Sequence, residues 1–322
     1  MHRSQFQGVI LAAGRGSRIQ TLNQTTPKSL LPICNRPLIA YQLEMLQALN
    51  VAEVFIVCGH LKDALQQESE KQNSTGLTLT FVEQRHPLGI AHALSCVEPY
   101  INKPFVVFLG DIFVVAPQIS QLVQKYGAHM PCSLLAVRDE DDEHLIAQNY
   151  NVLLQENGQV HQVIEKPRRA ASKCKGCGLY VFDPAIFEAI RRTPQTAMRN
   201  EFELTTSIQI HINDGFPVYP FERIDWDRNI NSIEDFHLCN MAELQRRGKN
   251  AVYGHKCRIH PKASIGNTVL GNEVVIASPI CIQHSVILSN TEISTDHDLK
   301  HVIGTPDRII PVQNSNLPQT LN

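Results

Sequence analysis

Val9-Ile10-Leu11-Ala12-Ala13-Gly14-Arg15-Gly16-Ser17-Arg18, followed by Thr26-Pro27-Lys28-Ser29-Leu30-Leu31-Pro32, is the stretch that decides how this chain is read. An apolar run of strand type ends in two glycines. An arginine follows, and then a lysine preceded by a proline. Glycines let a backbone come close to a phosphate chain and aim its N–H groups at it. The two cations can then neutralise charge that moves between phosphates during a transfer. An ordinary glycine turn would explain the glycines alone. It does not explain the glycines, the arginine and the Pro-Lys together.

Working outward, short apolar runs alternate with helical patterns up to about residue 140, the rhythm of a parallel sheet. Pro37 opens a helix whose apolar positions Ile39, Leu43, Leu46 and Leu49 keep a helical spacing. Val54 to Cys58 and Phe105 to Leu109 are wholly apolar, as strands covered on both faces are. The fold expected is α/β, a doubly wound, mostly parallel, Rossmann-like sheet. Ligands of such sheets sit at the carboxyl ends of strands, where Gly14 to Arg18 and Gly110-Asp111 fall. Beyond residue 150, Asn151 to Leu154 and Val160 to Ile164 flank Glu156-Asn157-Gly158, a hairpin signal that predicts an antiparallel insertion. Helical patterns follow at Pro184 to Arg192, Phe202 to Ile212 and Ile233 to Arg247.

A shift in composition begins near Tyr253. Ile259, Ile265, Ile276, Ile282 and Leu288 are read as one six-residue grid, with Gly271 off it and Leu270 one place early. A six-residue repeat predicts a parallel β-helix, here of about two to three coils at about 18 residues each. The expected organisation is a catalytic domain over 1–249, a short β-helix over 250–310 and a loose tail over 311–322.

The chain has 322 residues, 43% of them apolar and 19% charged, enough for a sizeable core. A net charge of −2 makes no electrostatic case for nucleic acid or for an anionic membrane. No apolar run approaches the ~18 residues of a spanning helix, and the start lacks a signal-type apolar region, so the cytoplasm is the expected compartment. Nine cysteines without framework spacing read as reduced thiols. Cys174-Lys175-Gly176-Cys177 lacks the second pair that a zinc ribbon needs and reads as entry into a buried strand, Cys177 to Phe182.

The opening run resembles the sugar-1-phosphate nucleotidylyltransferases, whose pattern is approximately L-A-A-G-x-G-[ST]-R-[LM] and then P-K. Gly14, Gly16, Ser17, Arg18, Pro27 and Lys28 match it, while Ile19-Gln20-Thr21-Leu22 lacks the proline those proteins usually carry. The resemblance runs over about residues 7 to 245 and implies attack by a sugar-1-phosphate oxygen on the α-phosphorus of a nucleoside triphosphate. Such a step needs positioning, charge neutralisation and a divalent metal more than a protein nucleophile.

By resemblance, Leu11, Ala13, Gly14, Gly16 and Ser17 bind the nucleotide, Arg18 holds the leaving pyrophosphate and Lys28 contacts the α-phosphate. Asp111, in Leu109-Gly110-Asp111, is implied as a Mg²⁺ ligand, a hard cation that favours oxygen. The second ligand falls on Asn229 in Asn229-Ile230-Asn231-Ser232-Ile233-Glu234-Asp235, with Asp225 or Asp227 as the alternatives in another register. Gln84 and Gly89, in Glu83-Gln84-Arg85-His86-Pro87-Leu88-Gly89, are implied to read the base, and their spacing favours dTTP or UTP over GTP or ATP. Glu165 and Lys166 of Glu165-Lys166-Pro167, with Gly178 and Glu203, are implied on the sugar-phosphate side. Gly176 stands where relatives often carry Asn, and Thr206 where they often carry Asp. His86 and His92 flank the base loop and are read as satisfied or solvated.

The tail resembles the left-handed β-helix of many such enzymes, and its open strand edges predict a homo-oligomer. A mannose-1-phosphate guanylyltransferase using GTP is a neighbouring reading. A catalytically silent homologue that binds nucleotide-sugar is a further one, disfavoured because Arg18, Lys28 and Asp111 are all retained. An acyltransferase tail would need more coils.

Overall fold

The computed structural model describes residues 5–14, 16, 19, 22, 26–59, 61–73, 76–197 and 200–313. The chain forms two compact units. The first takes in Met1–Arg15, Thr25–Leu30 and Ile39–Asp227; the second takes in Gly16–Gln24, Leu31–Leu38 and Arg228–Asn322.

The first unit is built on a nine-stranded sheet of β1 (Gln7–Ala12), β2 (Glu53–Cys58), β3 (Thr78–Glu83), β4 (Phe105–Leu109), β5 (Ser133–Asp139), β6 (Tyr150–Leu154), β7 (Val160–Glu165), β8 (Cys174–Phe182) and β9 (Val218–Phe221). The main path runs β7-β6-β8-β4-β1-β2-β3, with β5 on β8 and β9 on β5. β3, β2, β1 and β4 are parallel to one another, and β9 is parallel to β5. The hairpin of β6 and β7 turns through Gly158 at φ 79. The antiparallel part reaches further than that hairpin, because β8 pairs antiparallel with β4, β5 and β6.

Period-2 alternation explains why both faces are covered. Ile10, Val106 and Phe108 point to a core shared with Ile39, Leu43 and Leu46 of α1 (Leu38–Ala48), Leu65 of α2 (Lys62–Gln72) and Tyr126 of the helix Gln121–His129. Val9, Leu11, Phe105 and Val107 point the other way, onto Leu94 of the helix Ile90–Ser95, Phe187 of Ile186–Arg192 and Ile208 of Leu204–Asn213. Gly8 makes the room for α1, since a Cβ there would lie 3.1 Å from Leu46 Cδ1. Burying each such Leu or Ile stabilises by about 1.5–3 kcal/mol, and truncating a fully buried one to Ala costs about 2–5.

In the second unit, the helix Ile233–Arg246 starts on a capping box. Ser232 Oγ accepts from Asp235 N, and Asp235 Oδ2 accepts from Ser232 N at 3.0 Å. The strand-rich region after it forms three ladders, through Ala251–Tyr253, Arg258–Ile259 and Ser264–Gly266, parallel except that Ile309–Pro311 closes the first of them antiparallel to Val302–Gly304, an arrangement compatible with a β-helix. Ala251 lies opposite Thr268, Arg258 opposite Val275 and Ser264 opposite Cys281, so one coil is 17 residues. This corrects the six-residue grid. Leu270, Ile276, Ile282, Ile287 and Ile293 are the buried row, and Leu288 is only half-buried outside it. One side of each coil is a residue short: Ile276 lies 17 and not 18 residues after Ile259, so the two stretches do not share one six-residue step, and the buried row passes through Leu270 and not Gly271. Two corners repeat at the same step in left-handed backbone, Lys256, Glu273 and Asn290 at one, Asn267, His284 and His301 at the other. Among the described residues no helix is long and apolar enough to cross a membrane.

Candidate active site

The carboxyl edge of the parallel strands is crowded with backbone. A Cβ on Gly59, after β2, would lie 2.8 Å from Ala13 O. One on Gly110, after β4, would lie 2.7 Å from Leu11 O, and Gly110 N donates to that same carbonyl at 2.9 Å. Glycine is required at both points by close approach. Gly14, by contrast, has no described residue within 4 Å of where its Cβ would be, and Gly16 turns at φ 62. Leu11 and Ala13 sit at the end of β1, both largely buried. Ser17 and Arg18 lie outside the described residues.

Lys28 opens a short 3₁₀ turn, Lys28–Leu30, and its Nζ lies 3.3 Å from Asp111 Oδ2. The lysine is 11% exposed and the aspartate 30%. The fold therefore brings together the two residues expected at the phosphate and at the metal. Asp111 is held from behind by Gln42, a buried amide on the core face of α1. Its Nε2 donates to Leu109 O at 2.9 Å and to Ile112 O at 3.0 Å, one carbonyl on each side of Gly110-Asp111. Sequence reading missed Gln42. The signal was a polar residue one turn from Ile39 on an otherwise apolar helix face.

Gln84 continues β3, its N–H donating to Cys58 O. Its side-chain Nε2 lies 3.3 Å from Gly89 O and 2.8 Å from His92 Nδ1. Gly89 has φ 108, and a Cβ there would meet Phe202 O at 2.6 Å. Phe202 also clamps the loop by backbone bonds to Leu88 O and from Ala91 N, and its ring stacks on His92. From the sequence alone Phe202 is only the first residue of a helical pattern, Phe202 to Ile212.

On the sugar side, Glu165 at the end of β7 accepts from Thr205 Oγ1 at 3.1 Å and pairs with Lys166 at 3.3 Å. Lys166 stands in left-handed backbone, φ 41, and its N–H donates to Asn149 O. Strained non-glycine backbone of this kind clusters at functional sites. Glu203, buried, is the N-cap residue of Leu204–Asn213, two residues from Thr205. The Gly178 slot is filled by the Leu109 side chain, 2.9 Å from a built Cβ. The Gly176 slot is filled by the Tyr150 ring, 1.9 Å away. Tyr150 O–H donates to Cys177 O, and its ring stacks on Tyr180 at 6.1 Å. Burial, and then the neighbouring Tyr180, push the Tyr150 phenol well above its usual range, so it is a neutral donor.

Asp227 does not stand free as an alternative metal ligand. Its fully buried carboxylate bonds Lys175 Nζ at 2.5 Å and Arg138 Nε at 3.1 Å. Burial alone would raise this carboxyl, but Lys175 and Arg138 outweigh it and hold it below the usual carboxylate range. Asn229, in the second unit, has a buried Oδ1 with no hydrogen-bond partner among the described residues. Cys174 and Cys177 are free thiols, and burial pushes Cys174 up to about 12, so neither is an activated thiolate.

The sequence model of the family described as Nucleotidyl transferase matches residues 7–246. The chain belongs to that family. It is 28% identical over 243 residues to the low-salt glycan biosynthesis nucleotidyltransferase Agl11 of Haloferax volcanii, covering 74% of this chain and 66% of that protein. It is 27% identical over 299 residues to a glucose-1-phosphate thymidylyltransferase of Streptomyces antibioticus, covering 91% of this chain and 80% of the relative. A solved UDP-glucose pyrophosphorylase, complexed with UDP-glucose, shares the fold with a TM-score of 0.66 at 24% identity, over 75% of this chain and 99% of that one. The resemblance drawn from the opening glycines thus holds at the level of the family, and the nucleotidyl transferases are enzymes of group transfer.

Proposed function

We propose that this chain transfers a nucleotidyl group from dTTP or UTP, in preference to GTP or ATP, to a sugar-1-phosphate. A phosphate oxygen of the sugar-1-phosphate attacks the α-phosphorus, the bond to the β-phosphate breaks, and pyrophosphate leaves. The observation that carries the reading is the Lys28–Asp111 pair, 3.3 Å apart on the carboxyl edge where β1 ends in glycines. Lys28 neutralises charge on the α-phosphate, and Arg18 takes the pyrophosphate side from its sequence match. Gln84 addresses the base, and Glu165 with Lys166 takes the sugar hydroxyls and phosphate. The thymidylyltransferase relative supports both the acceptor class and the base.

Mg²⁺ fits the donors. Lys28 is the one hydrogen-bond partner of the Asp111 carboxylate among the described residues, which leaves Oδ1 open, and the Asn229 amide oxygen is orphaned. Both are oxygen donors, which suits a hard cation. When bound, the ion supplies charge stabilisation at the phosphates. The pairing of Asp111 with Asn229 rests on the sequence match alone.

The coils after Asn250 read as a short left-handed β-helix used for assembly into a homo-oligomer. In support, both edge strands of its five-stranded ladder carry an exposed large apolar residue, Tyr253 and Ile309. The test of the activity is pyrophosphate release from dTTP, UTP, CTP, GTP and ATP against glucose-, mannose- and N-acetylglucosamine-1-phosphate. Turnover should be strongest with dTTP or UTP. Stronger turnover with GTP promotes the guanylyltransferase reading, and no turnover with any pair overturns the proposal.

A further inference from the structure

The Gln84 amide has two N–H donors, and both are directed at the protein. One faces Gly89 O at 3.3 Å, and the other faces His92 Nδ1 at 2.8 Å. A carbonyl can only accept, so Gly89 O requires the amide nitrogen, and not its oxygen, on that side. His92 Nδ1 must then be the accepting nitrogen, which places the ring proton of neutral His92 on Nε2. Gly89 cannot move aside to relieve this constraint. Its carbonyl also accepts from Ala93 N at 3.0 Å, which holds it in place, and the Phe202 backbone brackets the residue through bonds to Leu88 O and from Ala91 N. Phe202 stacks on the His92 ring as well, at 6.4 Å between centroids and 24° between planes. Burial, followed by the nearby His86, lowers the His92 pKa, in keeping with a neutral ring. The buried Gln84 is thus left with its Oε1 alone, and no described residue donates to it.

We infer that His92 is a positioning residue for base selection: by accepting from Gln84 it locks the amide so that only Oε1 faces the nucleotide, and the site takes a base whose edge offers an imide N–H. The inference rests on the reading of Gln84 as the base-facing group and deepens it. Thymine and uracil present N3–H between two carbonyl groups. Cytosine presents at N3 an acceptor, which would oppose Oε1 oxygen to lone pair. Flipping the amide to suit cytosine would set Oε1 against Gly89 O and force the His92 ring proton from Nε2 to Nδ1. His92 thereby acts on specificity without touching the base.

The test is calorimetric titration of the full chain with dTTP and with dCTP, so that it does not depend on turnover. His92→Phe keeps the stack on Phe202 and removes the acceptor. It should lower the dTTP-over-dCTP affinity ratio about tenfold, the scale of one net hydrogen bond, chiefly through a gain for dCTP. His92→Asn places an accepting Oδ1 near the position of Nδ1 and should restore the ratio. Gln84→Ala should abolish the preference altogether. An unchanged ratio in His92→Phe, with Gln84→Ala abolishing it, overturns the role of His92 and leaves Gln84 as the base reader. An unchanged ratio in Gln84→Ala overturns the base reading itself, and the inference with it.

Discussion

Replacing Asp227 with Asn removes one charge from a site that water does not reach. In the native chain that carboxylate is fully buried and holds Lys175, itself 3% exposed, at 2.5 Å and Arg138 at 3.1 Å. The variant leaves Lys175 as a buried cation without its counter-ion. Arg138 fares better, being 21% exposed and still bonded to Glu140. Breaking a buried pair from one side costs about 3–5 kcal/mol. With Arg138 keeping a partner, the low end applies, about 3 kcal/mol, or about 6–12 °C in the melting temperature for a unit of this size. The midpoint in urea measures it. The pH dependence has a definite sign. The folded pKa of Asp227 lies below its unfolded value of about 3.9, so this stabilisation is present above about pH 4 and is lost as pH falls through the folded pKa. The gap between wild type and Asp227→Asn should therefore narrow below about pH 4. A double variant, Lys175→Met with Asp227→Leu, removes both charges and should recover much of the loss. An Asp227→Asn protein within about 1 kcal/mol of wild type, or a double variant worse than the single one, would refute the argument.

Other outcomes follow from the site and the coils. Arg18→Ala and Lys28→Ala should each lower kcat for pyrophosphate release by about 10² or more, the scale for losing a charge partner in the transition state; full activity in either variant removes that residue from the mechanism. Gly89→Ala forces a Cβ to within 2.6 Å of Phe202 O at φ 108, and strain with the disturbed Phe202 backbone bonds should cost about 2–4 kcal/mol. A thermal melt reads that cost, and an unchanged melting temperature contradicts the clamp. Truncation after Lys249 takes away the coils and with them the bond from His237 Nε2 to His284 O, so the oligomeric state or the stability should fall. Light scattering that finds a monomer before and after truncation, with the same melting temperature, shows that the coils serve neither.

The sheet was legible because its strands carry their information locally. Val9 to Ala12, Val54 to Cys58 and Phe105 to Leu109 are apolar on both faces, and the helix on Ile39, Leu43 and Leu46 shows its period plainly. The hairpin declared itself through Asn157-Gly158. What escaped was set by contacts distant in sequence. β8 reads as one buried strand, but nothing within it states that it pairs antiparallel with three others. Asp227 looked like a candidate metal ligand because Lys175 and Arg138 are 52 and 89 residues away from it. Phe202 looked like a helix residue, and its role as a clamp depends on Leu88 and Ala91, reached only through the fold. The coil period failed for a different reason. A grid of sixes fits two sides of each coil, and the short third side slips it by one.

That 17-residue step restricts how the C-terminal region can change in length. Removing residues 268–284 would join Asn267 to Ser285, deleting one coil from corner to corner and returning each later strand to its old face. An insertion or deletion within the coiled strands that is not a multiple of 17 would swing the apolar residues after it, such as Ile287 and Ile293, out of the buried row. Relatives of this chain should therefore differ here by whole coils, and their tail lengths should fall on a ladder with rungs 17 residues apart.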